Sequence, residues 1–236
     1  MIDCGADWLG QLEKLSPSAI VLTHAHPDHA QGLADGAPCP VYMTDQTSSA
    51  LLRYPIVDRR KMPLRNPVFI DGLCVEAFPV QHSTRAPAVG YRISAGTYSL
   101  FYVPDVAAIP SQSLALRGAQ LYIGDGASIL RPIVKRREAL IGHSPIQMQL
   151  RWCKEEHVPE AIFTHCGSQI VKGDGRRLGA IVRRLGREHG IVARIAHDGM
   201  RFELKGCSSR RCNAEADRPS PARGERAFRG LNGRPR

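Results

Sequence analysis

The chain reads as an α/β domain whose strand ends carry the chemistry. Three observations predict this class: short apolar β-rich runs alternate with longer helical patterns, Asp-Gly and Ala-Gly dipeptides divide several of those runs into pairs, and a polar cluster, Thr23-His24-Ala25-His26-Pro27-Asp28-His29, directly follows one of them. At 236 residues and 43% hydrophobic composition the chain suits one domain with a sizeable core plus an appendage. Its expected division is a domain over residues 1–204 and a tail over 205–236. No apolar run approaches the ~20 residues a bilayer span needs. The N-terminus lacks the basic, apolar and small-residue order of a signal peptide. The expectation is a cytoplasmic protein with no membrane partner, monomeric or homodimeric.

Taken in order, Met1-Ile2-Asp3-Cys4-Gly5 reads as the end of a strand entering a glycine turn, and Ala19 to Thr23 as a buried strand ending at the histidine cluster. Val68 to Val80 divides at Asp71-Gly72 into a hairpin whose second strand delivers His82. Val89 to Ile93 and Ser99 to Val103 flank Ala95-Gly96 as a further pair, and the second delivers Asp105. Gln120 to Ile123 is a strand closed by Gly124-Asp125-Gly126, where Asp125 reads as a turn residue, as does Asp198 before Gly199. Ser144-Pro145 predicts a helix start, with Ser as N-cap and Pro at the first helical position, and the helix runs to about His157. Pro159 breaks it, and Ala161 to Thr164 is a strand that delivers His165. Arg176 to His189 is amphipathic, with Leu178, Ile181, Val182 and Leu185 on one face. Ile191 to Ile195 and Met200 to Leu204 close the domain as strands.

The formal charge of +10 is unevenly spread: Lys205 to Arg236 holds nine Lys/Arg against three Asp/Glu among Gly, Pro, Ser and Asn. That composition predicts a disordered basic tail, solvated and without a fixed partner, with weak non-specific nucleic-acid contact as the lesser expectation. The seven cysteines are odd in number and contain no Cys-x-x-Cys pair, which predicts reduced thiols. Cys166 stands out because it follows a candidate ligand.

Within six positions, His24 to His29, three imidazoles and one carboxylate follow a buried strand. Desolvating so many polar groups is unfavourable unless something satisfies them, and a divalent cation does. Alternating ligands in a tight loop serve two ions, because residues two apart point the same way while the next pair turns toward a neighbouring centre. Two ions about 3.5–4 Å apart share a hydroxide, lower the pKa of its parent water toward ~7 and clamp a phosphoryl or carbonyl oxygen.

This run resembles the metal loop of the metallo-β-lactamase superfamily, His-x-His-x-Asp-His after a strand, and the resemblance spans roughly residues 1 to 204. It implies an αββα four-layer sandwich, here without its first N-terminal strands because the chain starts inside the strand that ends in Asp3-Cys4-Gly5. It also implies that His24 and His26 bind a first metal and that Asp28 and His29 bind a second. His82, in Pro79-Val80-Gln81-His82-Ser83, would complete the first site. Asp105, in Tyr102-Val103-Pro104-Asp105, would bridge both, and His165, in Phe163-Thr164-His165, would complete the second. Two divalent ions are expected, zinc first, with manganese or iron fitting similar shells.

After His82, Ala88-Val89-Gly90-Tyr91-Arg92-Ile93 resembles the phosphodiesterase branch, which includes ribonuclease Z and the cyclic-phosphate diesterases of phosphonate breakdown. Gly142-His143-Ser144 matches a histidine of that branch held near the metals to protonate the leaving oxygen or hold the phosphate. The expected activity is hydrolysis of a small or cyclic phosphodiester. A hydroxide shared by the metals attacks phosphorus, and His143 protonates the departing alkoxide, with Asp28 counted beside it among the catalytic residues. Arg131, Lys135, Arg136 and Arg137 would attract the anion. No Gly-rich inserted arm of the kind that grips transfer RNA is evident, so structured RNA is the lesser expectation. The alternatives are a lactonase or thioesterase sharing the ligands without needing His143, a ribonuclease, and a non-catalytic nucleic-acid-binding protein that depends on the tail. His189 and His197 read as structural.

Overall fold

The computed structural model describes residues 1–136 and 140–204, so the basic tail, Cys207 and Cys212 lie outside the described residues. Strands of two to eight residues satisfy their backbone groups only beside neighbours, and here they pair into two main sheets. The smaller is parallel, in the order β1 (Ile20–Val21), β2 (Val41–Met43), β3 (Arg59–Lys61). Ile2 extends it through a parallel bridge to Val21. Short helices α1 (Leu12–Leu15), α2 (Pro27–Ala30) and α3 (Asp45–Ala50) accompany it. Leu12, Ile20, Leu22, Ala30, Leu33 and Met43 form their shared core.

The larger sheet has seven strands: β4 (Val68–Ile70), β5 (Leu73–Val80), β6 (Ala88–Ala95), β7 (Tyr98–Tyr102), β8 (Leu121–Asp125), β11 (Glu160–Thr164) and β12 (Val192–Ile195). Between β8 and β11 the chain forms a separate antiparallel pair, β9 (Ile133–Arg136) with β10 (Leu140–His143). Helices α4 (Gln112–Leu116), α5 (Ile146–Glu155), α6 (Ser168–Val171) and α7 (Gly175–Glu188) complete the second half. Alternation along a strand sends successive side chains to opposite faces. Phe101, Tyr122 and Phe163 therefore pack with Leu116, Leu150 and Val182 of the helices, while the next residues Leu100, Leu121 and Ile162 face the other way. A third cluster joins Val21, Tyr42 and Met62 from the small sheet to Val75, Ala77, Val89 and Tyr91 from the large one. Helices, sheet, sheet and helices thus make the four layers of the expected αββα sandwich.

The local punctuation was mostly as expected. Asp71 and Gly72 turn β4 into β5 with φ of 50° and 80°, the left-handed pair that a tight hairpin of the right twist requires. The β6–β7 turn falls one residue later than Ala95-Gly96, because Ala95 is still paired, with Tyr98. Ser144 does not cap α5: its hydroxyl donates to the Ala107 carbonyl at 2.7 Å, and Pro145 takes the cap position. Met200 to Leu204 is not a strand. Met200, Phe202 and Leu204 pack against the Leu100, Leu121 and Ile162 cluster, so their alternation chooses a face without pairing the backbone.

Direction is what places the site. β5 is antiparallel to β6 and β6 to β7, whereas β7, β8 and β11 are mutually parallel. β5, β7, β8 and β11 therefore end on one edge of the sheet, the edge where α/β folds gather their ligands. The two sheets are stitched beside that edge: Val89 N donates to Thr23 O at 3.1 Å, and the Tyr91 hydroxyl donates to Leu22 O. The Gly-Tyr-Arg run is thus scaffold. A Cβ on Gly90 would lie 2.6 Å from the Phe101 ring, and Arg92 donates to Ala115 O at 3.0 Å. Among the described residues, no helix is long and apolar enough to cross a membrane. Tyr91→Phe leaves the Leu22 carbonyl without its buried donor, and it is expected to lower unfolding stability by about 1–3 kcal/mol, read as a lower urea midpoint at unchanged slope.

Candidate metal centre

The strand-end residues converge with the histidine loop. Three groups share one carboxylate, each holding its candidate ligand atoms within 4.8 Å of one another: His24, His26 and His82 with Asp105, Asp28, His29 and His165 with the same Asp105, and an overlapping set of Asp125, His143 and His165 with it. His24, His29, His82 and Asp105 are buried, whereas Asp28 and His165 keep 56% and 29% of their side chains exposed, so the second group is the open side. His165 and Asp3 both sit at left-handed φ, 48° and 56°, which non-glycine residues adopt at a cost and typically at functional positions.

Hydrogen bonds outside the cluster decide which ring nitrogen points in. Asp3 accepts from Thr23 N at 2.7 Å, from the Thr23 hydroxyl at 2.9 Å and from His29 Nδ1 at 2.8 Å. Having given its hydrogen to Asp3, the Thr23 oxygen accepts from His24 Nδ1 at 3.0 Å. His82 Nδ1 donates to Gly142 O at 3.1 Å. Three rings are thereby held with Nε2 facing inward, the arrangement by which outer hydrogen bonds orient metal-binding histidines. Sequence reasoning treated Asp3 only as a strand end. A carboxylate in an otherwise apolar opening strand was the signal available.

The inward atoms oppose one another unless positive charge lies between them. His24 Nε2 and His26 Nδ1 are 2.9 Å apart, and His26 Nδ1 and His82 Nε2 are 3.3 Å apart, close to the ~3.3 Å edge of a tetrahedron of zinc–nitrogen bonds. Burial pushes the His82 pKa down to about 4 and lowers that of His26, which disfavours added charge on these two rings, and a single hydrogen on His26 Nδ1 can serve only one of the two contacts. Around Asp105 the demand is larger. Its Oδ2 lies 3.1 Å from His29 Nε2 and 3.3 Å from both His24 and His82, and its Oδ1 lies 2.9 Å from His165 Nδ1. His29 Nε2, Asp105 Oδ1 and His165 Nδ1 are buried without a hydrogen-bond partner. Burial would raise the Asp105 pKa, yet the imidazoles of His165, His24 and His29 close against it hold it far below the carboxylate range. Burial likewise opposes charge on His29 and His165, and the carboxylates still raise them to about 10 and about 9. The donor set fits divalent cations on both sides of Asp105.

His143 stands beside this set, at the end of β10. Its Nδ1 donates to Asp125 Oδ2 at 2.8 Å and lies 3.6 Å from Asp105 Oδ1. Asp125, expected as a turn residue, is fully buried and corrects that reading: its Oδ2 also accepts from Val106 N at 3.0 Å, and its Oδ1 accepts from Ala127 N at 2.8 Å. Burial raises the Asp125 pKa, and burial opposes but does not overcome the rise that Asp125 gives His143. Gln149, buried on α5, clamps the Asp125 backbone, accepting from its N–H at 2.9 Å and donating to its carbonyl at 2.7 Å. Asp125 had a signal, its place at a strand end like the other site residues; Gln149 had none. Of the four cations read as anion-attracting, Arg131 lines the cleft at His143 and Lys135 is exposed on β9; the Arg136 side chain and Arg137 lie outside the described residues. His189 ends α7 away from the centre, and His197 lines a cleft at His165. Replacing Asp3 by Asn leaves one acceptor oxygen where Thr23 N–H and His29 Nδ1 use two, and is expected to weaken divalent-metal affinity about 10–100-fold in a chelator competition, with the circular dichroism spectrum unchanged.

Comparison with known proteins places this geometry. Among solved structures, a diphosphatase from the PhnP family shares 21% identity with a TM-score of 0.62, covering 86% of this chain and 79% of its own. The metallo-β-lactamase fold protein YhfI from Bacillus subtilis shares 19% identity with a TM-score of 0.63, over 84% of each chain. Human tRNase Z, short form, shares 18% with a TM-score of 0.58, over 84% of this chain and 85% of its own. At such identities these likenesses speak for the fold. No curated protein matches the chain. The family model described as the beta-lactamase superfamily domain matches residues 1–166, and the chain belongs to that superfamily.

Proposed function

We propose that the protein is a hydrolase with two divalent cations, zinc first, that cleaves a phosphodiester. The observation that carries this reading is the pair of ligand groups sharing Asp105, with buried polar atoms that have no hydrogen-bond partner among the described residues, beside a His143–Asp125 pair on the open side. His24, His26, His82 and Asp105 would hold one ion, and Asp28, His29, His165 and Asp105 the other. Two such ions supply Lewis acidity toward a phosphoryl oxygen and acidify water.

The chain's own residues supply the proton transfers. Asp28, the most exposed carboxylate of the set, receives the proton of the attacking water. The water oxygen bonds to phosphorus as the bond to the leaving oxygen breaks. His143, whose protonated form Asp125 favours, gives its proton to that leaving oxygen, and Asp125 keeps the ring aligned through Nδ1. A carboxylate-supported imidazole suits an alkoxide leaving group, and this favours a phosphodiester over a thioester, whose thiolate departs without a proton. Neighbouring folds described as a PhnP-family diphosphatase and as tRNase Z are in keeping with phosphorus chemistry.

Elemental analysis of the purified protein is expected to give close to two metals per chain. On a dialkyl phosphodiester, His143→Ala is expected to lower kcat by about 10²–10⁴-fold at unchanged metal content. On bis-(p-nitrophenyl) phosphate the loss should be much smaller, because p-nitrophenolate departs without a proton. Equal losses on both substrates would remove the general-acid role, and a metal-loaded protein that opens lactones or thioesters but ignores both phosphodiesters would overturn the phosphodiesterase reading.

A further inference from the structure

The centre opens into two separate clefts that share one wall. The first, about 610 Å³, is lined by Ser128, Arg131, His143, His165, Cys166 and Gln169. The second, about 700 Å³, runs from His165 and Cys166 along α7 and β12 and is lined by Arg183, Arg194 and His197. Each volume falls in the range of about 300–1,000 Å³ that small-molecule sites occupy. His165 and Cys166 belong to both, so the two spaces diverge from the open side of the metal centre.

Their chemistry differs. The first cleft holds the proton donor. The second holds two guanidinium groups against one carboxylate, Asp198, and is net positive. Arg194 is partly engaged, 3.3 Å from Glu160 and 5.2 Å from the Phe202 ring centroid. Among the described residues, Arg183 has no ion-pair partner. α7 is shaped to let its side chain reach the cleft: Gly175, Gly179 and Arg183 follow one another at four-residue spacing along the wall, and a Cβ on Gly179 would stand 3.1 Å from Arg183 Nη1. The guanidinium therefore lies over the space that a side chain at 179 would take. Among the described residues no Phe, Tyr or Trp lines either cleft, so these walls offer no stacking platform for a base.

We propose that the substrate is a phosphodiester with two extended arms, the leaving arm seated beside His143 and the retained arm, which ends in a carboxylate or phosphate, seated on Arg183. This rests on the phosphodiesterase reading and deepens it: the attacking and leaving oxygens must be in line, and the group protonated on departure must lie on the side of the proton donor. The other ester arm keeps its oxygen–phosphorus bond and has the second cleft to enter. A compact cyclic phosphate would leave that cleft unused.

The test uses two esters with the same leaving group, butyl p-nitrophenyl phosphate and 3-carboxypropyl p-nitrophenyl phosphate. The expected result for the metal-loaded wild type is a kcat/KM about tenfold higher for the carboxylate ester, carried by KM, as one charge-assisted hydrogen bond warrants. Arg183→Gln should erase that preference while leaving the butyl ester, the metal content and the melting temperature unchanged. Equal kcat/KM values for the two esters in the wild type, or a preference that survives in Arg183→Gln, would overturn the two-arm proposal with the phosphodiesterase reading intact. A wild type that hydrolyses neither ester would instead remove the reading on which it rests.

Discussion

Nearly everything near the site depends on the electrostatics of one buried carboxylate. Asp105 faces four imidazoles at hydrogen-bond distance from a position 3% exposed to solvent. Such a convergence of imidazoles on one buried carboxylate needs positive charge among its members or between them, and the fold around it is arranged so that the groups do not retreat. Thr23, Asp3 and Gly142 hold the rings from behind, and the left-handed backbone at His165 commits that residue to the cluster. The four-layer architecture supplies what this needs, an edge at which parallel strands end together and a loop from the second sheet that closes over it.

The residues that announced themselves in the sequence are the ones that violate local expectation. His24 to His29 follow an apolar strand with no reason to be polar, and His82, Asp105 and His165 end strands in the same way. Asp125 sits at such an end too, but glycine on both sides gives it the composition of a turn, and only the fold shows that β8 continues through it. Gln149 is a buried amide on an amphipathic helix, and helical periodicity does not distinguish a polar residue that faces solvent from one that satisfies a strand end. Met200 to Leu204 shows the opposite limit: alternation reports which face is covered, while strand pairing depends on a neighbour that the local sequence does not name.

The Gly90-Tyr91-Arg92 run carries a similar lesson about motifs. None of the three lies in the metal cluster. Gly90 admits the Phe101 ring, Tyr91 ties the two sheets together and Arg92 reaches the carbonyls at the end of α4. A sequence feature that travels with a catalytic centre can do so because it holds the frame in register.

The Asp3 carboxylate has a thermodynamic consequence beyond its alignment of two rings. It belongs to the segment that bridges the edge of the smaller sheet at Val21, and its side chain links that edge to His29. Any ligand that binds the folded centre more tightly than the unfolded chain stabilises what the centre is bonded to. Occupancy and the firmness of the sheet edge are therefore coupled. Amide protons near Cys4, whose N–H donates to the His29 carbonyl at 2.7 Å, become reporters of ligand binding at the centre.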